Sequence, residues 1–365
     1  MAEVYEGRRA RLRERFTGLE VNAALITSLV NVRYLTGFTG SNAALLVAKD
    51  SSVFATDGRY ATQSEAEVPD IDRVIERDKP LSEVLLERAR AASVRRLGFE
   101  SHYLTVDQHR KLTELGEGTE LHSIKKSVED LRTAKDDEEI ANLREACAIG
   151  DRALAELVDG LILGRTERQI AQELERRMID HGADGLAFAT IVASGPNSAI
   201  PHHSPTSRRI EVGDLLTIDF GAMFNGYHAD MTRTFVVGRD PAPWQIEIYD
   251  LVFGAQKAGR EALAPGTELK AVDKAARSVI EAAGYGEKFP HGLGHGVGLE
   301  IHEAPMLRHD AAGKLEPRTP VTVEPGVYLP GKGGVRIEDT LVVLDAADGG
   351  PELLTMTTKE LLVLD

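Results

Sequence analysis

One cysteine among 365 residues leaves no partner for a disulfide, so a disulfide-stapled extracellular scaffold is excluded and a reducing compartment fits. That residue, Cys147, falls in a helical run over 138–157 among Ala and Ile, where a core cysteine is preferred to a catalytic thiol. Positive charge is in deficit: 43 Lys and Arg against 58 Asp and Glu give a net charge of −15. No nucleic-acid partner is expected at that balance. Apolar runs are all far too short to span a bilayer, so no membrane partner is expected either. Residues 1–16 are crowded with Arg and Glu and lack the apolar stretch of a secretory signal. The expected location is cytoplasmic. The chain has 42% hydrophobic residues, enough to build one large or two ordinary domains.

The strongest local signal is Asn225-Gly226, set between the β-rich runs Leu216–Phe224 and Tyr227–Val237. Asn-Gly supplies the two positive φ angles of a type I′ hairpin turn. With these as the loop residues, Phe224 pairs with Tyr227, Gly221 lies opposite Asp230 and Asp219 lies opposite Thr232. Asp219 and Asp230 then share a face as diagonal neighbours, roughly 7–8 Å apart at their backbones. Thr217, Thr232 and Thr234 join them, while Ile218, Phe220, Met231 and Phe235 point to the other side. Two carboxylates so placed repel unless a cation or a shared proton neutralises them; a metal is the simpler answer.

The same phrase returns downstream. Val321-Thr-Val-Glu-Pro-Gly matches Leu216-Thr-Ile-Asp-Phe-Gly, and Ile337-Glu-Asp-Thr matches Ala229-Asp-Met-Thr, so Asp219 maps to Glu324 and Asp230 to Glu338. A helical run precedes each copy, one from Gly164 to Gly182 and one from Gly266 to Gly284, with Thr before Glu near the start and Gly after the last turn. This is an internal duplication of about a hundred residues. Halves related by a pseudo-two-fold bring four carboxylates to their common centre.

Upstream, residues 23–27, 43–47 and 52–56 have the composition of buried strands and 82–92 that of a helix, as in a small α/β domain. The stretch Asn31-Val-Arg-Tyr-Leu-Thr-Gly-Phe-Thr-Gly-Ser-Asn joins two of these strands and Asp57-Gly-Arg-Tyr follows the third. Their Arg and Tyr side chains could contact a ligand, although covering a turn is the commoner role. Residues 125–137 are charged and polar, a linker into a long amphipathic helix whose acidic start, Asp136 to Glu139, suits a helix N-terminus. The domains expected are 1–127 and 128–365.

Between the two carboxylate pairs runs His291-Gly-Leu-Gly-His-Gly-Val-Gly-Leu-Glu-Ile-His-Glu. On a helix, His291 and His295 would form a zinc pair, but four alternating glycines make a helix there improbable. Alternating glycine indicates a strand crowded by another backbone or a ligand. His295, at its centre, is the best candidate for a neutral imidazole ligand.

Asp219, Asp230, His295, Glu324 and Glu338, in this order and wording, resemble the ligand set of the pita-bread metallopeptidases, the group containing methionine aminopeptidase, prolidase and aminopeptidase P. The likeness covers the whole chain, since Asn31-Val-Arg-Tyr-Leu-Thr-Gly-Phe and Asp57-Gly-Arg-Tyr resemble the amino-terminal domain of the Xaa-Pro peptidases. The implied fold class is α/β (α+β): a small N-terminal creatinase-like α/β domain followed by a pseudo-two-fold pita-bread catalytic domain. The filled ligand set separates the chain from creatine-hydrolysing relatives, which lack it.

Four carboxylates and one imidazole suit two divalent ions, Mn²⁺ first, with Co²⁺ or Zn²⁺ as alternatives. The resemblance implies that Asp230 and Glu338 bridge both ions, that Asp219 completes one site, and that His295 and Glu324 complete the other. Such ions sit about 3.5–4 Å apart and bring a bridging water toward hydroxide at neutral pH, which would attack the scissile carbonyl. Glu324 is the implied proton shuttle. His202 aligns with a substrate-contacting histidine, with the adjacent His203 leaving the register open by one. His302 resembles the histidine that stabilises the tetrahedral intermediate. Arg336 either orients a ligating carboxylate and so lines the substrate site, or forms a structural salt bridge. His228 and His309 have no such support. The activity implied is hydrolysis of peptides with proline at position two, as an aminopeptidase P, with a prolidase acting only on dipeptides as the alternative. A homodimer is implied, the first domain closing the site of its own or a neighbouring subunit. A catalytically silent peptide-binding scaffold is the reading from a different class, and it would have no use for five metal ligands.

Overall fold

The computed structural model describes residues 2–365 and divides into two compact units, one through Arg132 and one from Thr133 onward. The division falls later than the position read from the sequence because the charged stretch after Lys125 folds as a short helix, Ser127–Arg132, with Val128 and Leu131 buried.

In the first unit the three apolar runs are strands β1 (Ala23–Ile26), β2 (Ala43–Ala48) and β3 (Ser52–Asp57). With β4 (Asp72–Glu76), β5 (Arg96–Phe99) and β6 (Glu120–Ser123) they form one sheet in the order β4-β3-β2-β1-β5-β6. The outermost strands, β4 (Asp-Arg-Val-Ile-Glu) and β6 (Glu-Leu-His-Ser), have no fully buried residue, which is why no apolar run announces them. Leu85, Leu86 and Ala89 of the Leu81–Ala91 helix pack on Leu25, Ala44 and Leu46. The stretch joining β1 and β2 contains a helix, Leu29–Thr36, and Tyr34, one of the side chains that could have met a ligand, is interior, as is Asn31. Asn31 donates to Glu100 at 2.6 Å and the Tyr34 hydroxyl donates to the Leu131 carbonyl at 3.0 Å. In Asp57-Gly-Arg-Tyr, the Asp57 carboxylate caps its own turn, accepting the Arg59 N–H at 2.9 Å.

The second unit is built twice. In its first half the helices Asp137–Val158 and Glu167–Asp180 pack on a sheet of β8 (Ile191–Ser194), β9 (Leu215–Phe220), β12 (Met231–Val237) and β20 (Val363–Leu364). In its second half Pro243–Glu261 and Leu269–Ala282 pack on β13 (Gly294–Gly296), β14 (Glu303–Leu307), β15 (Pro320–Val323), β18 (Asp339–Val342) and β19 (Glu352–Leu353). Glycines with positive φ end the equivalent loops and helices, Gly164 with Gly266 and Gly182 with Gly284. The helix starts differ. Thr166 caps the first, its hydroxyl accepting the Gln169 N–H, whereas in the second Thr267 lies one residue too early and Glu268 takes the cap position.

The Asn-Gly turn forms as expected, with φ of 47° at Asn225 and 75° at Gly226 and Phe224 paired with Tyr227. The hairpin is not continuous, however. Its tip, β10 (Ala222–Phe224) and β11 (Tyr227–His228), leaves the sheet of β9 and β12 to pair with β7 (Gly185–Leu186). The break falls at Gly221, where a Cβ would stand 1.8 Å from the Ala229 carbonyl oxygen. Gly221→Ala is therefore expected to destabilise the protein by at least about 2 kcal/mol in urea unfolding. Gly254→Ala, in a helix where the new methyl meets only Val279 at 3.9 Å, should stabilise by about 0.5–1 kcal/mol. Equal shifts of the two midpoints would refute the crowding at Gly221.

Candidate active site

Asp219 pairs with Thr232 across β9 and β12, and Ile218, Phe220, Met231 and Phe235 of the same strands lie together in the first half's core. The opposite face meets the second half. There the Glu338 N–H donates to the Thr232 carbonyl at 3.1 Å, and the Thr340 hydroxyl donates to the Asp230 carbonyl at 2.8 Å. His295 sits on β13, its N–H donating to the Thr322 hydroxyl at 3.0 Å. The flanking glycines are required by contact: a Cβ on Gly294 would stand 2.1 Å from the Thr322 carbonyl oxygen, and one on Gly296 2.3 Å from that of Ala304.

These strands bring all five expected ligands to one place. Asp230, His295 and Glu338 offer ligand atoms within 4.8 Å of one another, and His295 Nε2 is also 3.4 Å from Glu324 Oε1. Asp219 stands outside that trio, its Oδ2 accepting Arg336 at 2.6 Å. Arg336, 3% exposed, also donates to Thr232, to the Tyr328 hydroxyl and to the Pro201 carbonyl. Thr232 in turn donates to Glu338 Oε2 at 2.7 Å. Two carboxylate oxygens, Asp219 Oδ1 and Glu338 Oε1, are buried with no hydrogen-bond partner, an arrangement that costs several kcal/mol unless a cation meets them.

The electrostatics agree. Burial, and then the charge of neighbouring carboxylates, raises Asp230, Glu324 and Glu338 above the ordinary carboxylate range. Burial opposes protonation of His295, but its bond to Asp230 and the charges of Glu324 and Asp230 prevail and lift it to about 9. Anionic oxygens with one imidazole, short of positive charge and with orphaned lone pairs, fit hard-to-borderline divalent cations.

The cluster forms one wall of a cavity of about 430 Å³. His202 and His302 line it as well, and the His302 ring meets His295 edge-on with 4.4 Å between centroids. Of the two adjacent histidines, His202 is on the cavity; His203 is buried and turned to Glu167, Nε2 to Oε2 2.9 Å. His228 instead lies against the Gly298 carbonyl, and neither it nor His309 lines the cavity. Phe188, Ile191, Pro201, Ile301 and Met306 supply an apolar wall, and Arg308 a cation at the rim. Two functional neighbours are missing from the sequence reading. His291, weighed only as half of a helical zinc pair, lines the cavity and bonds Tyr328 at 2.9 Å, with burial holding its pKa down to about 4. Tyr328 links it to Arg336; the only signal for the pair was their nearness in sequence to the expected ligands. Cys147 is buried, and burial pushes its thiol well up, so it is no nucleophile.

Two duplicated lobes around a buried cluster of acids and one imidazole define a metal-dependent hydrolase. The chain belongs to metallopeptidase family M24, whose profile matches residues 141–345, and a creatinase/prolidase N-terminal domain matches residues 8–134. The second unit is thus the pita-bread fold. The chain is 41% identical over 354 residues to an uncharacterized peptidase, YqhT, of Bacillus subtilis, covering 97% of this chain and 99% of that one. It is 36% identical to an Xaa-Pro dipeptidase of Pyrococcus furiosus, covering 94% and 95%. Among solved structures, an Xaa-Pro dipeptidase from Bacillus anthracis superposes with a TM-score of 0.94 at 37% identity, covering 99% of this chain and 100% of that one. An X-Pro aminopeptidase from Thermotoga maritima superposes with a TM-score of 0.89 at 34% identity, covering 97% and 100%.

Arg336 holds the Asp219 carboxylate in place, so Arg336→Met should lower divalent-metal affinity by roughly 10–100-fold, measured by calorimetric titration of metal-stripped protein. Unchanged affinity would reduce Arg336 to a structural salt bridge.

Proposed function

We propose that the chain is an Xaa-Pro peptidase, and within that class an aminopeptidase P, which removes the first residue from peptides with proline second. The observation that carries this reading is one cavity holding both the five-ligand cluster and an apolar wall large enough for a pyrrolidine ring. Support comes from relatives over nearly the full chain that are named Xaa-Pro dipeptidase or X-Pro aminopeptidase. In this reading Asp219, Asp230, His295, Glu324 and Glu338 hold two divalent ions, Mn²⁺ by preference. When bound, such ions polarise a carbonyl and bring water toward hydroxide at neutral pH.

The remaining chemistry belongs to side chains. The Glu324 side chain, 18% exposed, is more accessible than those of Asp219 at 11%, His295 at 9% and Asp230 at 8%. It is the carboxylate able to take a proton from water and return it to the leaving proline nitrogen. His302, on the cavity, offers an N–H for the developing oxyanion, and His202, on the same cavity, contacts the substrate. Proline has no N–H to donate and a fixed φ, so selectivity rests on the wall of Phe188, Ile191, Pro201, Ile301 and Met306. Arg336 is spent on Asp219 and its other acceptors, and binds substrate only through the carboxylate it orients. A cytoplasmic homodimer completes the reading.

Arg308 favours a second reading. It lines the cavity, is 57% exposed and is held only by Asp310 at 2.8 Å, so it can meet the carboxylate of a dipeptide, as a prolidase requires. A Mn²⁺-supplemented assay separates the two. An aminopeptidase P cuts tripeptides and longer peptides with proline second between residues one and two, and cuts the alanine-second peptide far more slowly. Cleavage of dipeptides alone would assign a prolidase; equal cleavage of the alanine peptide would end the prolyl reading.

The inner and outer positions are separable as well. Glu338→Ala is expected to lose metal and activity together. His302→Ala should keep its metal and lose roughly 10²–10³-fold in kcat. Bound metal by mass spectrometry and turnover, measured on both, check the assignment, and metal loss in His302→Ala would contradict it.

A further inference from the structure

Glu167 lies outside the cavity, yet its surroundings concern the cavity. It is the first residue of the Glu167–Asp180 helix and is completely buried. Its Oε1 accepts the Ser194 N–H, the Ser194 hydroxyl and the Asn197 amide, at 2.9, 2.8 and 2.9 Å. Its Oε2 meets His203 Nε2 and accepts the Thr206 N–H and the Thr206 hydroxyl, at 2.9, 3.0 and 2.6 Å. Every one of these partners lies in residues 194–206, the segment that carries His202.

A helix-start acid ordinarily serves its own helix. Here Thr166 and Gln169 already form the capping box, and the Glu167 side chain is directed wholly at the segment. The duplication supplies a control. The residue at the equivalent first helical position of the second half is Leu269, an apolar member of that half's core. The buried carboxylate is therefore not a requirement of the repeated fold; in the first half it serves the segment that carries His202. On the cavity side the segment is fixed independently: the Ser198 hydroxyl accepts the Gly334 N–H at 2.9 Å, and the Pro201 carbonyl accepts Arg336 at 3.2 Å. His202 directly follows the second of these attachments, and its other neighbour His203 is one of the groups Glu167 holds.

We propose that Glu167 is a positioning residue for the peptidase reaction, fixing His202 at the cavity by clamping residues 194–206 from behind. The proposal rests on the reading of His202 as a substrate contact. A ring held in place by its neighbours is lost to catalysis when displaced by about an ångström, with effects reaching roughly 10²-fold.

The test is a double-mutant cycle of Glu167→Gln and His202→Ala on full-length Mn²⁺-loaded enzyme, using a tripeptide with proline second. Bound metal and thermal melting are recorded for each variant. Glu167→Gln should lower kcat/KM by roughly 10–100-fold with unchanged metal content, and should add nothing beyond about twofold on the His202→Ala background. Losses that multiply would overturn the route through His202, as would wild-type kinetics in Glu167→Gln. Wild-type kinetics in His202→Ala alone would overturn the reading of His202, and the proposal with it. Thr206→Val removes a single hydroxyl of the clamp and enters the same cycle if Glu167→Gln does not fold.

Discussion

The second unit depends on a short backbone junction between its two halves. The Glu338 N–H donates to the Thr232 carbonyl, the Glu338 carbonyl accepts the Arg233 guanidinium, and the Thr232 hydroxyl reaches the Glu338 carboxylate. One residue later Asp339, wholly buried, meets Arg233 and Lys359 at 2.8 Å each and accepts Gln256 and Thr355. Buried ion pairs of this kind are weak sources of stability but strongly specify one arrangement when every lone pair is satisfied. A cluster of mutually repelling carboxylates could not hold itself together. Two apolar cores on either side of the junction supply the stability, and the junction fixes where the charges meet.

Most of that centre was legible because its parts are local and periodic. The Asn225-Gly226 turn sets register, register sets parity, and parity separates Asp219 and Asp230 from the core-facing Ile218 and Phe220. The repeated phrase then carries the argument to Glu324 and Glu338, and the glycines around His295 mark the crowding that the structure contains. What escaped depends on tertiary contact. Nothing local tells that Gly221 must admit the Ala229 carbonyl and so divide one hairpin between two sheets. Tyr328 and His291 matter through a bond between residues 37 apart. Glu167 looks from sequence like any acid at the start of a helix, and the helix of Leu29–Thr36 is masked by a motif whose Asn and Tyr turn inward to Glu100 and Leu131.

The duplication also fails to be exact in a way that serves the chemistry. Asp219 and Glu324 occupy equivalent places, yet Asp219 is tied to a buried arginine while Glu324 has the Thr322 hydroxyl and faces the cavity. Arg336 belongs to the second half and reaches across to the first; the corresponding place in the first half is His228, which precedes Ala229-Asp230 as Arg336 precedes Ile337-Glu338.

A polypeptide has a direction, and a cleft with true two-fold symmetry would read a chain equally well from either end. Any residue order presented at such a centre would be met by its mirror in sequence. Arg336 reaching across from one lobe, the histidine-bearing segment on the other and the glycine-lined strand remove that degeneracy. The scaffold was doubled, but the grammar it can parse runs one way.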